Sequence, residues 1–261
     1  FMTEKGDNNM DENMGEKEVG LFLNNDDSNY VGDKRIRPYL SYGKNKESYC
    51  IYFSNIADSR EHLPPRIFVD TPNINEWNIV PACRNCNNGY SEEEQLVACI
   101  VEYIIALIYY KGEIQREKIK HTFEKRPKIL EKIKKLCVVE NNLLQIDRSV
   151  IDMIKRVVLK IAKGHFMYEC NVFLPDDVDI LIDFEPLLDK ERLDEFNSPI
   201  ICNYIPEIGS RASNQLYIMM GKNQVMYPWK VVDNDNYRYA ISPSVLRIVI
   251  REFLYIKIIQ K

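Results

Sequence analysis

The feature that most constrains this chain is a Cys-x-x-Cys step, Cys83 and Cys86 in the stretch VPACRNCNNGYS, because it has the spacing of half a tetrahedral zinc site. Structural zinc takes four thiolate or imidazole ligands, which commonly arrive as two such pairs. Upstream there is one cysteine, Cys50, and the position where a second pair would close holds Phe53, which cannot bind a metal. The spacing therefore predicts a zinc site with an incomplete ligand set.

Composition limits the classes of partner and compartment. The chain has 261 residues and a net charge of −4, so a site for nucleic acid has to be a local patch rather than a general basic field. Seven cysteines, an odd number spread over a long chain, predict a reducing compartment, which we expect to be the cytoplasm. The longest apolar run, residues 96–110, is too short to span a bilayer and contains Glu102, so we expect a buried helix and no membrane partner.

The sequence divides into three parts and predicts an α+β fold. Residues 1–35 are rich in Asn, Asp, Glu and Gly and favour an acidic, poorly packed arm. Residues 36–110 contain Cys50, Cys83, Cys86 and Cys99 and short strand-like pieces, SYCIYF and RIFV, followed by a helix. Residues 111–261 predict a helical segment followed by a mainly antiparallel β-sheet, because tyrosine, valine and isoleucine alternate there.

Capping residues and glycines predict where the helices begin and end. Ser91 and Glu94 fit a capping box that opens a helix ending before Gly112. Charged helices are expected over about 113–125 and from Pro127 to about 136, and Ser149 is expected to cap a helix that ends at Gly164. Strands are then expected in HFMYECNVFL, QLYIMMGKNQVMYPW, YRYAIS and LRIVIREFLYIKII.

The chemistry of the sequence concentrates between residues 61 and 88. EHLPPR places Glu61 beside His62: a carboxylate can hold a divalent cation, while an imidazole, with its pKa near neutrality, can take a proton from water. Any single Glu-His step is more often a surface coincidence. Here Asn78 lies five residues before Cys83 and Asn87 follows Cys86, so four polar groups surround one cysteine step.

These stretches, CIYF, EHLPPRIF, WNIVPACRNCNNGYS and the acidic EEE that follows, resemble the HNH endonuclease superfamily. The resemblance covers about 40 residues in order and implies a ββα-metal motif within 36–110, in which a hairpin and a helix close over one catalytic divalent ion. The segments VVLKIAKGHFMYE, YRYAIS and LRIVIREFL resemble one bacterial branch of HNH proteins, which implies a role in bacterial defence or restriction.

The resemblance also implies roles for individual residues. His62 is implied as the general base, and Glu61 and Asn87 as ligands of Mg²⁺ or Mn²⁺. Asn78 is implied to hold the hairpin loop that orients His62. The alternatives for the last metal ligand are Asn88, Glu93 and Glu94. Arg66 and Arg84 are candidate phosphate contacts, since a guanidinium matches phosphate oxygens, although a solvated surface arginine is equally typical.

In this family the second half of the zinc knuckle is a further Cys-x-x-Cys, of which this chain has Cys50 alone. Either a fourth ligand comes from elsewhere, with Cys99 the nearest candidate in sequence, or Phe53 fills the hole and apolar packing replaces the metal. Cys99 lies in an apolar run and is more typical of a core thiol. The balance of these readings favours little or no zinc at Cys50, Cys83 and Cys86.

Three functions follow. The first is a metal-dependent HNH-type endonuclease acting on DNA, and the second is a catalytically silent HNH-like module that binds nucleic acid or a protein partner. The third is a scaffolding protein whose cysteines are structural. The basic stretch 111–135 could follow a nucleic-acid backbone, but its glutamates make a solvated helix face the more typical reading. The oligomeric state is left open.

Overall fold

A computed structural model describes residues 49–53, 55–70, 78–140, 143–203, 217–221 and 223–261. These residues form a mixed α+β structure with antiparallel sheets, which confirms the predicted class at this level. The expected arm, residues 1–35, lies outside the described residues. Within them, no helix combines the length and the apolar character needed to cross a membrane.

Helices and strands alternate in blocks along the chain. The α-helices of the described residues are α1 (Arg84–Gly89), α2 (Ser91–Tyr109), α3 (Glu117–Lys125), α4 (Pro127–Leu136), α5 (Arg148–His165) and α6 (Lys190–Asn197). The strands are β1 (Ser59–Leu63), β2 (Asn78–Ala82), β3 (Cys137–Glu140), β4 (Leu143–Ile146), β5 (Val178–Phe184), β6 (Ile200–Cys202), β7 (Ile218–Met220), β8 (Gln224–Tyr227), β9 (Lys230–Asp233), β10 (Tyr237–Ile241), β11 (Val245–Ile250) and β12 (Leu254–Gln260).

The strands form four antiparallel units. β1 pairs with β2, and β3 pairs with β4. The largest sheet has the order β5-β12-β11-β10-β9, and a three-stranded sheet has the order β6-β8-β7. The expected strands in QLYIMMGKNQVMYPW, YRYAIS and LRIVIREFLYIKII are therefore present, with β7 and β8 flanking the turn as expected.

The main core lies between the helices and the five-stranded sheet. It combines fully buried residues of α2, α5 and β12, such as Ile100, Ile154 and Ile256. Burying a side chain of this size contributes roughly 1.5–3 kcal/mol. Because α2 and the C-terminal sheet belong to the same cluster, the core runs continuously across residue 110.

Glu102, in the middle of α2, is buried within this core and forms ion pairs with two arginines. Arg251 Nε lies 2.5 Å and Arg116 Nη1 lies 3.6 Å from Glu102 Oε1. An unpaired charge in an apolar interior is strongly unfavourable, so these guanidinium groups are what allows the carboxylate there. The contact also fixes α2 against the turn between β11 and β12, where Arg251 lies.

The expected end of α5 is wrong. Gly164 does not end α5: the helix continues to His165 and then as a π-helix over Phe166–Cys170, ending where Asn171 has a φ of +55°. The expected strand in HFMYECNVFL is therefore wrong as well. Its aromatic and β-branched residues suit a strand locally, but the buried Phe166 and Met167 are packed as a continuation of the helix.

Two predicted caps are also wrong. Tyr90 precedes α2 and makes no side-chain cap, because α1 runs almost directly into α2. Ser91 instead donates to the Asn88 carbonyl at 2.8 Å, and Glu94 is buried. At α5 the cap is Asp147, whose carboxylate accepts the backbone N–H of Ser149 at 2.8 Å.

Some short elements differ from the pattern. The piece RIFV is not a strand, since Arg66–Phe68 forms a 3-10 helix, and the described part of SYCIYF contributes only an isolated bridge between Tyr49 and Ile56. The edge strand β5 and the helix α6 had no prediction.

Gly164 provides a prediction because β1 approaches α5 closely at this residue. A Cβ added to Gly164 would lie 2.3 Å from Leu63 Cδ2, and Leu63 is almost fully buried. We expect Gly164→Ala to lower the free energy of unfolding by about 1–3 kcal/mol in urea denaturation, as overpacking does. The matched control is Gly89→Ala in α1, where nothing lies within 4 Å. Equal stability of the two variants would contradict the close contact.

Candidate active site

The candidate site is a cleft beside the β1–β2 hairpin. In the register of this hairpin Glu61 lies opposite Val80, His62 opposite Ile79 and Leu63 opposite Asn78. The end of α1 and the first turn of α2 complete the cleft, whose volume is about 320 Å³. Its lining consists of Arg60, Glu61, His62, Pro65, Arg66, Asn87, Asn88, Ser91 and Glu94.

The cleft therefore brings together four of the residues singled out from sequence: Glu61, His62, Arg66 and Asn87. Residues 61 and 87 lie far apart along the chain, and the hairpin packed against α1 is what unites them. Of the alternatives considered for the last metal ligand, Asn88 and Glu94 line the same cleft. Glu93 does not; its carboxylate pairs with Arg156 at 2.6 Å.

His62 and Arg66 are in direct contact within the cleft. Arg66 Nη2 lies 3.1 Å from His62 Nε2. Guanidinium nitrogens only donate, so in this contact Nε2 accepts, and a neutral ring then carries its proton on Nδ1. This is the tautomer in which Nε2 holds the lone pair that a base needs. The 3-10 helix that begins at Arg66, directly after Pro65, places the guanidinium beside the imidazole.

Asn87 is fixed by β1. Its side-chain amide donates to the Arg60 carbonyl at 2.8 Å and to Ser59 Oγ at 3.2 Å. Both hydrogens of the amide are used in these contacts, which sets the orientation of the carboxamide. The remaining polar atom is Oδ1, a neutral oxygen of the kind that hard cations accept as a ligand.

Glu61 is paired with a lysine that had no place in the sequence prediction. Lys160 Nζ lies 2.6 Å from Glu61 Oε2 and 2.5 Å from Glu94 Oε1, and all three side chains are almost fully buried. Burial raises the pKa of Glu61 to about 7, and the Lys160 ammonium opposes that rise. The two carboxylates hold the pKa of Lys160 above its ordinary value although burial acts in the other direction.

Two tyrosine rings enclose the same ammonium. The centroids of Tyr52 and Tyr90 lie 5.8 Å and 5.6 Å from Lys160 Nζ, within the range of cation–π attraction. Lys160 is thus a permanent cation at the back of the cleft. It contacts one oxygen of each carboxylate, so the second oxygen of Glu61 and of Glu94 lies outside these ion pairs.

A sequence signal for Lys160 did exist. It lies three residues after Val157 and directly before Ile161, on the buried face of α5. A lysine on the apolar face of an amphipathic helix needs a buried partner. Neither Glu61 nor Glu94 could be identified as that partner from spacing alone, because both are more than 60 residues away in sequence.

Asn78 and Arg84 lie outside the lining of the cleft. Asn78 begins β2, opposite Leu63 in the register, and its amide donates to Tyr239 Oη at 3.2 Å. Tyr239 in turn donates to the buried carboxylate of Glu169 in the π-helix. Arg84 is exposed and contacts Asp58, with its backbone N–H 2.7 Å from Oδ1. The strand β10 therefore holds the end of the hairpin through Asn78.

Beside the cleft, the three cysteines singled out from sequence form a buried cluster. The Sγ atoms of Cys50, Cys83 and Cys86 all lie within 4.8 Å of one another, and those of Cys83 and Cys86 are 3.3 Å apart. Cys83 precedes the first residue of α1, and the backbone N–H of Cys86 lowers the pKa of its thiol. Since thiolates are the ligand form of cysteine, this cluster could bind a metal ion.

Neither suggestion for the fourth ligand position holds. Phe53 is 65% exposed, so its ring does not fill the space beside the thiols. Cys99 packs in the main core, apart from the cluster, and burial raises the pKa of its thiol to about 12. Around the thiols lie Ala57, Ala82 and the half-buried Tyr52 instead. Packing of Phe53 cannot therefore be what replaces a metal here.

No family model, curated protein or solved structure matches this chain. The arguments for its function therefore come from the geometry of the cleft and of the cysteine cluster.

Proposed function

We propose that this chain is a metal-dependent endonuclease of the HNH type, which hydrolyses phosphodiester bonds in DNA. The observation that carries the proposal is that Glu61, His62 and Asn87 line one cleft beside the cysteine cluster. The hairpin of β1 and β2 followed by α1 agrees with the ββα-metal arrangement that the sequence resembles. Arg60 and Arg66 add positive charge at the same cleft, which suits a phosphodiester.

The donor atoms of the cleft suit Mg²⁺ or Mn²⁺. Glu61 and Asn87 would hold the ion, and both are oxygen ligands of the type that hard cations require. Of the two carboxylate oxygens of Glu61, Lys160 pairs with Oε2. Among the described residues, no donor contacts Asn87 Oδ1. When bound, the ion would neutralise the scissile phosphate and stabilise the leaving 3′ oxygen.

The residues of the chain supply the remaining chemistry. His62 acts as the general base that takes a proton from the attacking water on Nε2. In the structure this nitrogen accepts from Arg66. A phosphate oxygen is a stronger acceptor for a guanidinium than an imidazole, so a bound phosphodiester draws Arg66 away and releases Nε2 for the water. Arg66 thereby couples substrate binding to the availability of the base.

The test is nicking of supercoiled plasmid by the purified protein in Mg²⁺, Mn²⁺ or Ni²⁺, and in a chelator. The proposal expects relaxed or linear plasmid to form in at least one of these ions and not in the chelator. Because a chelator also removes structural zinc, the reaction is repeated after the divalent ion is added back. Intact plasmid under every condition would contradict an active nuclease.

One observation favours a second function, a catalytically silent HNH-like module that binds nucleic acid or a protein partner. The Lys160 ammonium already balances one of the two negative charges of the carboxylate pair that would otherwise attract a divalent ion. Retention of duplex DNA on the protein without nicking, in any divalent ion, would support this second function. Failure to retain DNA at low salt would leave the scaffolding function.

For the cysteine cluster we propose structural zinc, with Cys50, Cys83 and Cys86 as three of its ligands. Protein purified without chelator is expected to contain about one zinc per chain by elemental analysis, since three thiolates in register form most of a structural site. Cys83→Ser is expected to remove that zinc and to lower the melting temperature. Cys137→Ser, at a buried thiol outside the cluster, is the control and should retain it. Zinc-free wild-type protein would contradict the proposal.

A further inference from the structure

A second hollow, larger than the cleft, lies where α2, the junction of α3 and α4, and α5 meet. Its volume is about 740 Å³. The apolar part of its lining, which we call the floor, consists of Leu96, Ile129 and Met153. Leu96 and Met153 are each 7% exposed and Ile129 is half-buried, so the floor is a concave apolar surface rather than an open face.

Four cations surround this floor: Lys125, Arg126, Lys128 and Lys132. They come from the basic stretch 111–135, in which glutamates alternate with lysines along the sequence. Glu124 and Glu131 of that stretch do not line the hollow, and Glu124 contacts His121 instead. Folding thus separates the charges: the cations collect at the hollow while the acids face elsewhere. The sequence alone had favoured a solvated helix face, because it could not show this separation.

The acidic side of the hollow is weaker than its residues suggest. Glu92 and Glu93 line it, but Glu93 is engaged by Arg156 through Nε and Nη2. Arg126 is held by the neutral Gln95, with Nη1 2.9 Å from Oε1, so its charge is not cancelled by that contact. The lining therefore combines an apolar floor with more cations than carboxylates.

The hollow and the cleft are neighbours, since both are lined by the first turns of α2. Ser91 and Glu94 face the cleft, whereas Glu92 and Gln95 line the hollow. The two sites therefore border the same end of α2, and the ligand class proposed for the hollow is chosen to match the phosphodiester proposed for the cleft.

We propose that the hollow binds an unpaired segment of a nucleic-acid strand next to the cleft, with a base on the floor and the flanking phosphates on the four cations. The choice of a single strand follows from the shape, because a base in a duplex is stacked and cannot enter a concave apolar site without leaving the helix. The inference rests on the proposed function for the class of ligand. It adds that the bound strand is unpaired and that it lies in the hollow next to the cleft. It also gives the basic stretch 111–135 a function, which is to bind phosphates.

The test is binding of a fluorescein-labelled single strand of about 20 nucleotides, measured by fluorescence anisotropy without added divalent cation. Lys128→Glu/Lys132→Glu is expected to weaken binding about tenfold or more and to reduce the dependence of affinity on salt, since phosphate contacts are lost. The matched control is Lys134→Glu/Lys135→Glu, which makes the same charge change on exposed residues of α4 outside the hollow. It should change affinity by less than about threefold.

The same assay with a duplex of identical sequence tests the role of the floor. The inference expects the single strand to bind more tightly than the duplex at equal salt. It is overturned if the duplex binds as tightly as the single strand, if the two double variants weaken binding equally, or if wild-type protein does not bind the single strand.

Plasmid nicking, run in parallel, distinguishes this inference from the proposed function. If the protein nicks plasmid but does not bind the single strand, the proposed nuclease function is retained and the inference about the hollow is rejected. If the single strand binds and Lys128→Glu/Lys132→Glu weakens that binding as expected, but no divalent ion supports nicking, the inference is retained and the proposed nuclease function is rejected.

Discussion

Replacing Lys160 with alanine is expected to lower the free energy of unfolding by about 3–5 kcal/mol, because the change leaves Glu61 and Glu94 buried together without a cation. Removing one partner of a buried ion pair costs far more than the pair itself contributes, since the remaining charge loses both water and its counter-ion. Urea denaturation followed by circular dichroism measures the effect.

The loss should also depend on pH, with a sign that the structure fixes. The pKa of Glu61 is raised in the folded state to about 7, so between its unfolded value and pH 7 the folded protein binds more protons than the unfolded chain. Stability from this group therefore falls as pH rises through that window. Without the ammonium, protonation becomes the main way to neutralise Glu61. The deficit of Lys160→Ala should accordingly be smaller at pH 5 than at pH 8.

Two further variants separate loss of charge balance from loss of packing. Lys155→Ala, at an exposed position of the same helix, should change stability little. Adding Glu61→Gln and Glu94→Gln to Lys160→Ala should recover part of the loss, because no uncompensated charge then remains. A deficit that is unchanged by the two glutamines and by pH would show that Lys160 acts through its apolar stem, and the buried ion cluster would not be what holds β1 to α5.

The cluster around Lys160 also shows which parts of the site could be predicted from sequence. Glu61, His62 and Asn87 were identifiable because their residue types and order carry chemistry in themselves. Lys160 was not, because its role depends on α5 packing against β1, and spacing along the chain carries no information about that contact. The same reason explains Tyr239, whose contact with Asn78 joins residues 161 positions apart.

The fold was predictable where local pattern and tertiary packing agree. The ends of α2, α3 and α4 lie near the expected residues, since proline, glycine and charge all act locally there. Local pattern and tertiary packing disagree at the end of α5. There the aromatic residues after Gly164 suit a strand, but Gly164 itself is small because Leu63 packs onto it, not because it ends a helix. A glycine read from sequence cannot distinguish these two causes.

The position of the Phe53 side chain could not be predicted from its place in the zinc-ligand pattern. A phenylalanine in place of a ligand suggested a ring packed against the remaining thiols, and the ring is 65% exposed instead. The short turn that carries it, in which the Cys50 N–H donates to the Asn55 carbonyl at 2.7 Å, directs residue 53 away from the cluster. The three thiols are thus left with a vertex that no cysteine of the described residues supplies, which gives metal analysis its particular value here.

His62→Ala is expected to reduce plasmid nicking about 10²- to 10⁴-fold, because general base catalysis typically contributes that much to hydrolysis. The expected loss is in the rate of the chemical step at saturating DNA, with retention of DNA changed little, since Arg60 and Arg66 remain in the cleft. His62 is half-buried and is not part of a core cluster, so the variant should unfold at nearly the same urea concentration as wild type.

The matched control is His121→Ala, which removes an exposed imidazole on α3 outside the cleft and should nick at the wild-type rate. Arg66→Ala provides the second comparison. If Arg66 both binds phosphate and occupies Nε2 of His62 in the free protein, its loss should weaken DNA binding while leaving the base available, so KM rises more than kcat falls. Undiminished nicking by His62→Ala in every divalent ion would remove this histidine as the base. With it would go the assignment of the cleft as the catalytic site, because no other imidazole lines it.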